Sequence, residues 1–448
     1  MTETFDKAHR TLVVGLGETG LSVARYLARE GVEVAIVDSR ENPPGLERLR
    51  AELPAAVPLF LGGFHAVAFE HAEQIVLSPG VSRAAPEIAA AAARGVPVIG
   101  DVELFAQVAR APVVAVTGSN GKSTVVTLLS AMARRAGRDV RTGGNIGVPA
   151  LDLIAADEPD LYVLELSSFQ LETLYSLHPQ AAVVLNISAD HMDRYRDLQD
   201  YAATKQMIYR NAALQVVNAD DPLAAGLADA ACPQLRFTRA VPGDNEYGLV
   251  ESTGELWLAR GADRLLPAAA VRMAGRHNLV NALAALALGE AAGLPLAPML
   301  ESLREFQGLP HRMQHVAGQG GVQWYNDSKG TNVGATLAAI EGVDGGVVLI
   351  AGGDGKGADF APLAGALQSR GRGAVLLGKD APRLAAVLQD VLPVAFAGDM
   401  PEAVRLAGTM AQSGDCVLLS PACASTDMYR NFVERGEVFM QAVGEYLS

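Results

Sequence analysis

Cysteine is scarce in this chain: there are three in 448 residues, and none stands in a C-x-x-C pair. Cys232, Cys416 and Cys423 therefore supply neither a disulfide framework nor a thiolate metal site, and a reducing compartment is the simplest setting. Long hydrophobic runs are also missing. No uninterrupted apolar stretch reaches the roughly 18 residues of a membrane span. The N-terminal stretch MTETFDKAHRTLVVGLG lacks the apolar core of a secretion signal. Basic residues are outnumbered 36 to 50, for a formal net charge of −14. That balance argues against the broad basic face of a nucleic-acid or anionic-membrane binder. It leaves room for a phosphate ligand, which needs only a few local donors. The expectation is a cytoplasmic monomer with neither nucleic acid nor membrane as partner.

What is present is apolar residue in quantity, 50% hydrophobic against 19% charged, enough for several cores. The length suggests two to four domains at roughly 100–200 residues each. Three units follow from the alternation of short apolar runs with helical patterns. In residues 1–100, TLVVGLG, VEVAIVD, IVLSPG and VPVIG read as parallel strands. In residues 101–308, VVAVTGSNGKS, LYVLELSS and AAVVLNIS do the same. There, residues 247–267 look like an inserted hairpin and residues 278–293 like a strong helix. In residues 309–448, VQWYNDS, VVLIAGG, GAVLLG and CVLLSP give four more strands.

The polar residues with chemical meaning fall just after these strands. GLGETG (residues 15–20) matches G-x-G-x-x-G between strand and helix, and Asp38 ends the next strand. A nicotinamide dinucleotide, another nucleotide with a pyrophosphate, and a plain tight turn all fit. TGSNGKST is sharper. Gly118, Ser119, Asn120 and Gly121 form a short turn, followed by Lys122, Ser123 and Thr124 at a helix start. A cation is unfavourable at that end of a helix, so Lys122 suggests an anionic neighbour. The amides would cradle β- and γ-phosphates, with Ser123 reaching Mg²⁺. The spacing is shorter than the usual G-x-x-x-x-G-K-[ST], because Val116 stands where that pattern has its first glycine.

Glu165 in LELSSFQLE, and Asp190 with His191 in NISADHMDRY, end further apolar strands on the same sheet edge. The carboxylate suits Mg²⁺ or a helix N-cap. Lys205 in YAATK reads by itself as a solvated helix lysine. In the third unit, Asp327 with Lys329 and Asp354 with Lys356 each follow a strand, as does Ser425. Each corner is equally consistent with a ligand contact or an Asx-turn.

Taken together and in order, TGSNGKST, LELSSFQLE, ADHMDRY, YAATK, GRHNLVNALAA, GLPHR, NDSKGTN, GGDGK and SPACAS resemble the Mur ligases of peptidoglycan synthesis, and within them the D-glutamate-adding branch. The resemblance runs from residue 15 to about residue 436. It implies three α/β domains: a Rossmann-like one for a UDP group, a central P-loop mononucleotide-binding parallel sheet for ATP, and a Rossmann-like C-terminal one for the amino acid. It implies ATP-dependent addition of D-glutamate to UDP-N-acetylmuramoyl-L-alanine through an acyl phosphate. Glu18, Thr19, Asp38, Ser39, Arg40, Ser78 and Gly80 would then surround the UDP group, with the acidic Glu18 turned away from the pyrophosphate or contacting uridine. Ser123 and Glu165 would hold one Mg²⁺, and His191 with a carbamylated Lys205 a second. Asn145 and Arg312 would lie by the phosphates, Asn278 and Asn281 by adenine, Asp327 by the ribose and Lys329 by the transferred phosphate. Thr331, Lys356, Ser425 and the backbone of Phe432 would hold D-glutamate. No D-N-P-R motif of the dibasic-adding branch is present. Folylpolyglutamate synthases lack the GLGETG-type first domain, and a nicotinamide dehydrogenase would leave TGSNGKST unexplained.

Overall fold

The computed structural model describes residues 10–53 and 57–448. Residues 1–9, read above for a leader segment, lie outside the described residues.

Three sheets organise the chain. The first has five parallel strands in the order Leu59–Leu61, Val34–Asp38, Thr11–Val14, Gln74–Leu77, Val98–Gly100. TLVV is buried at every position, as befits a parallel strand with helices on both faces. The helix Glu18–Arg29 begins within GLGETG and ends with Arg29 in its last turn, where a cation suits the helix dipole.

The second sheet has nine strands. Six core strands are parallel, with Val113–Thr117 between Leu161–Glu165 and Ala181–Val184, and Glu246–Ser252 adds to their edge in parallel. Val140–Gly144, Gln215–Asn218 and Gln234–Phe237 complete the parallel part. These three carry polar residues or glycines that blur the apolar run, so the sequence pattern passes over them. Residues 247–267 do not form a separate hairpin. They belong to Glu246–Ser252, Glu255–Arg260 and Asp263–Pro267, an antiparallel meander that extends the central sheet. The expected helix runs over Arg276–Ala291 and packs on the helix Lys122–Arg135.

The third sheet has six strands, ordered Gln314–Gln319, Val322–Asn326, Cys416–Leu419, Val347–Gly352, Gly371–Leu377, Val394–Phe396. The two beyond the four expected are its edges, short or half-exposed. The helix Asp101–Val108 sits at the junction of the first two sheets, and its Phe105 meets Tyr162 of the central sheet edge-on at 5.0 Å. One apolar core therefore runs continuously from the first sheet into the second.

Candidate active site

The phosphate-cradle turn follows the strand Val113–Thr117 and leads into the helix Lys122–Arg135. Two glycines make it possible. Gly118 has φ +148° and Gly121 φ +85°, and a Cβ at Gly118 would lie 2.9 Å from the Leu185 Cβ. We expect Gly118→Ala to destabilise the protein by about 1–3 kcal/mol and to raise the KM for ATP about tenfold. Chemical denaturation and initial rates check both. Ser119 Oγ donates to the Ser188 carbonyl at 2.9 Å, and the Asn120 amide to Asn186 Oδ1 at 2.8 Å, so the turn is tied to the next strand end. Lys122 folds over the turn, its Nζ donating to the carbonyls of Gly118 (2.8 Å) and Ser119 (3.0 Å). Thr124 is buried in the first helical turn.

Glu165 ends the adjacent strand and is 2% exposed. Its Oε1 accepts from Asn145 Nδ2 at 2.7 Å, while its Oε2 is buried with no protein partner. Such an orphaned carboxylate oxygen is costly unless something occupies it. Ser123 Oγ accepts from Arg312 at 2.8 Å, a contact spanning 189 residues. Asp190 and His191 follow the strand Ala181–Val184, and His191 takes φ +56° with its ring edge-on to Phe169 at 4.8 Å. Burial, together with nearby Lys356 and Lys122, holds the imidazole below its usual value despite Asp190, which favours the neutral form able to act as a ligand.

Lys205 is where the sequence reading fails most clearly. It is 1% exposed, not solvated. The helix Leu198–Gln206 turns it inward, where Nζ donates to Gly118 O at 3.0 Å and Thr117 Oγ1 at 3.3 Å, 4.6 Å from the centre of the Tyr201 ring. Burial, reinforced by Lys122, drives its pKa well below the usual lysine value. Helical periodicity could not show this, because the helix has almost no hydrophobic face.

The third domain reaches the same place. Lys329 Nζ lies 4.0 Å from the centre of the Phe432 ring, and desolvation, then Arg312, brings it down to about 8. Asp327 is buried, accepting from Ser420 Oγ (2.7 Å) and the Met313 amide (3.2 Å), and burial pushes it up to about 7. Thr331 and Ser425 lie in the neighbouring loops after strand ends. The Phe432 carbonyl is engaged by Ser328 Oγ at 2.7 Å. Lys356 is exposed, with φ +49°. Asn332, within NDSKGTN but not singled out by its sequence, caps the helix Val333–Gly342 and exchanges amide hydrogen bonds with Asn120 at 3.2 and 3.3 Å.

Two cavities adjoin this centre. One of about 480 Å³ is lined by Glu18, Thr19, Asp38, Ser39, Arg40, Ser78, Gly80 and Asn145 together. Glu18, at the wall of this cavity, pairs with Arg48 through both carboxylate oxygens at 2.8 Å. For Asp38, hydrogen bonds from Arg40 and the Leu16 amide outweigh burial and hold it below the ordinary carboxylate range. The other cavity, about 1170 Å³, lies between the central and third domains and includes Asn120, Gly121 and Asn281 in its wall. Asn278 accepts from Asn281 at 2.9 Å.

The chain matches three family profiles: "Mur ligase MurD-like, N-terminal domain" over residues 9–100, "Mur ligase middle domain" over 116–289 and "Mur ligase, glutamate ligase domain" over 311–423. It belongs to the Mur ligase family. The UDP-N-acetylmuramoylalanine–D-glutamate ligase of Nitrosococcus oceani is 59% identical over 443 residues, covering 98% of each chain. The enzyme of that name from Pseudomonas putida is 52% identical over 97% of each. Among solved structures, the UDP-N-acetylmuramate–alanine ligase of Thermotoga maritima superposes with a TM-score of 0.60 at 21% identity, over 98% of this chain and 99% of that one. A pseudomurein peptide ligase type C from Methanothermus fervidus gives 0.62 at 18%, over 98% and 100%. These two establish the three-domain Mur ligase fold. The nicotinamide reading of GLGETG falls with the family assignment.

Arg435 ties the third domain's loops together, and no sequence signal marks it. It is 2% exposed in the helix Phe432–Leu447. It donates to Ser328 Oγ (3.0 Å) and to the carbonyls of Ser328 (2.8 Å), Gly352 (3.4 Å) and Cys423 (3.2 Å), joining three strand-end loops.

Proposed function

We propose that this Mur ligase adds D-glutamate to UDP-N-acetylmuramoyl-L-alanine at the expense of ATP, forming an amide bond in peptidoglycan precursor synthesis. The relatives that cover the whole chain at more than half identity carry that name. One structural observation carries the geometry. Asn145 lines the first-domain cavity and also bonds Glu165, which ties that pocket to the strand end beside the phosphate turn. We further propose a monomer working in the cytoplasm, with domains at 1–100, 101–308 and 309–448. Each of these ranges contains one sheet, and among the described residues no helix is long and apolar enough to cross a membrane.

The chemical problem is to bring a carboxylate to a triphosphate, so neutralising charge comes first. Lys122, Arg312 and Lys329 lie around Glu165 and Asp190, giving the centre a local cationic excess within an acidic protein. The L-alanyl carboxylate attacks the γ-phosphorus, the bond to the β-bridging oxygen breaks, and ADP leaves. The D-glutamate amine then attacks the acyl phosphate. The tetrahedral intermediate expels inorganic phosphate, and the amine gives up a proton. Lys329 faces the transferred phosphate, Asn278 and Asn281 the adenine, and Asp327 the ribose side. Thr331, Lys356, Ser425 and the Phe432 backbone receive D-glutamate.

The donors fit Mg²⁺. The unpartnered Glu165 oxygen and the Ser123 hydroxyl make a one-carboxylate site of the kind that this ion completes with phosphate oxygens and water. Mg²⁺ bound there would neutralise charge on the phosphates. His191 and Lys205 would hold a second ion only if Lys205 is carbamylated, since an ammonium cannot ligate. A depressed pKa leaves the free amine that carbon dioxide requires.

Phosphate release from ATP with UDP-N-acetylmuramoyl-L-alanine tests the reading. We expect release with D-glutamate and none with L-glutamate, L-alanine or meso-diaminopimelate. Release with another amino acid only would move the chain to a sister branch.

A further inference from the structure

The sequence ADHMDRY contains a second basic residue whose place is unexplained by phosphate chemistry. Arg194 is 15% exposed and lies at the seam between the first and central domains. Its Nη2 pairs with Glu172 at 2.6 Å, and its guanidinium stacks over the Phe169 ring at 4.3 Å. From there it crosses the seam. Nη1 donates to the Pro79 carbonyl at 3.3 Å, and Nη2 to the Val81 carbonyl at 3.4 Å. Pro79 and Val81 both line the first-domain cavity. The other face of this cluster carries His191, whose ring meets the same Phe169. Tyr195 OH donates to the second oxygen of Glu172 at 2.8 Å, closing the unit. Nearby, Arg83 of the first domain reaches the Tyr175 hydroxyl at 3.0 Å, and Gly100 packs so closely on Thr173 that a Cβ would lie 2.4 Å from its Oγ1.

We propose that Arg194 is a positioning residue that sets the register of the nucleotide-sugar pocket on the phosphate loop, through Phe169 and His191. A planar guanidinium can hold one carboxylate, cover a ring and cap two carbonyls at once, which an ammonium cannot. The reacting carboxylate belongs to a substrate anchored in the first domain, while the triphosphate is anchored in the second. A shift of about 1 Å between them costs on the order of a hundredfold in rate without loosening either anchor. Arg194 therefore controls kcat.

The inference rests on the D-glutamate-adding reading, and the wild-type assay tests that reading separately: if the wild type makes no product, the reading fails whatever Arg194 does. In Arg194→Met, with wild-type activity in hand, we expect kcat at least tenfold lower. We expect the KM for ATP within twofold of wild type, and calorimetric binding of UDP-N-acetylmuramoyl-L-alanine within threefold. Arg194→Lys, which keeps the charge, should recover less than half of the lost rate. An unchanged kcat overturns the proposal. So does a parallel loss of ATP affinity, which would mark general loosening. If Arg194→Met does not fold, Arg194→Lys is judged on the same three readouts, and wild-type kcat there overturns the proposal equally.

Discussion

Replacing Lys122 by alanine should lower turnover by at least about 10³-fold while leaving UDP-N-acetylmuramoyl-L-alanine binding within threefold of wild type. Two effects add. The ammonium is the cation closest to the turn that would cradle the phosphates, and loss of a single preorganised donor at developing charge costs about 10²–10³. Its desolvation, which lowers its pKa despite Glu165 and Asp190, strengthens its interaction with an arriving anion. The nucleotide-sugar cavity is walled by first-domain residues with Gly144, Asn145 and Gln170, and Lys122 is not among them. Isothermal calorimetry and phosphate release separate the two effects. Loss of substrate binding along with turnover would break the division of labour between the first two domains.

Lys205→Ala should lose about 10²–10³ in kcat, and added bicarbonate should not restore it. The side chain is buried under the phosphate turn and among the described residues makes no salt bridge, its hydrogen bonds going to Gly118 O and Thr117 Oγ1. A structural lysine in that place would be an expensive choice. The same position makes chemical sense for a lysine that becomes an oxygen donor. The reaction R–NH₂ + CO₂ gives R–NHCOO⁻ and a proton, and only the unprotonated amine takes part. Burial lowers the amine's pKa and so favours that form. Intact-protein and peptide mass spectrometry should find an extra 44 Da, on the order of one CO₂ on Lys205, removed at acidic pH. Full activity in the alanine variant would take Lys205 out of the site.

Most of the fold was legible because parallel strands covered on both faces are written as continuous apolar runs. VVAVT and VVLIAG needed no context. The edges were not, because half-exposed strands such as Gln314–Gln319 and Val394–Phe396 carry no such run. Glycine-rich Val140–Gly144 was hidden for a related reason: its glycines make room for backbone, and a Cβ at Gly144 would lie 2.4 Å from the Glu165 carbonyl oxygen. In the site, residues after strand ends could be read because parallel-sheet topology gathers them on one edge. Lys122, Glu165 and His191 are of that kind. Lys205, Arg435 and Arg194 are not. Their roles depend on which face of a helix or loop is turned inward, and a charged residue gives no apolar pattern to say so. Resemblance supplied Lys205; only the structure supplied the other two.

The two seams of the molecule are made of different materials. The third domain meets the phosphate loop through polar and charged side chains, Asn120 with Asn332, Asn332 on Asp190 and Arg312 on Ser123, while the solvent-exposed Arg276–Asp344 pair at 3.8 Å adds little. The first domain meets the second over a continuous apolar core, Phe105 on Tyr162 within it, to which Arg25 on Asp152 at 2.7 Å and the Arg194 bridge are added. Mobile ions weaken the polar joint and leave the apolar one nearly untouched. Raising ionic strength is thus a way to loosen one arm of the enzyme while the other keeps its grip.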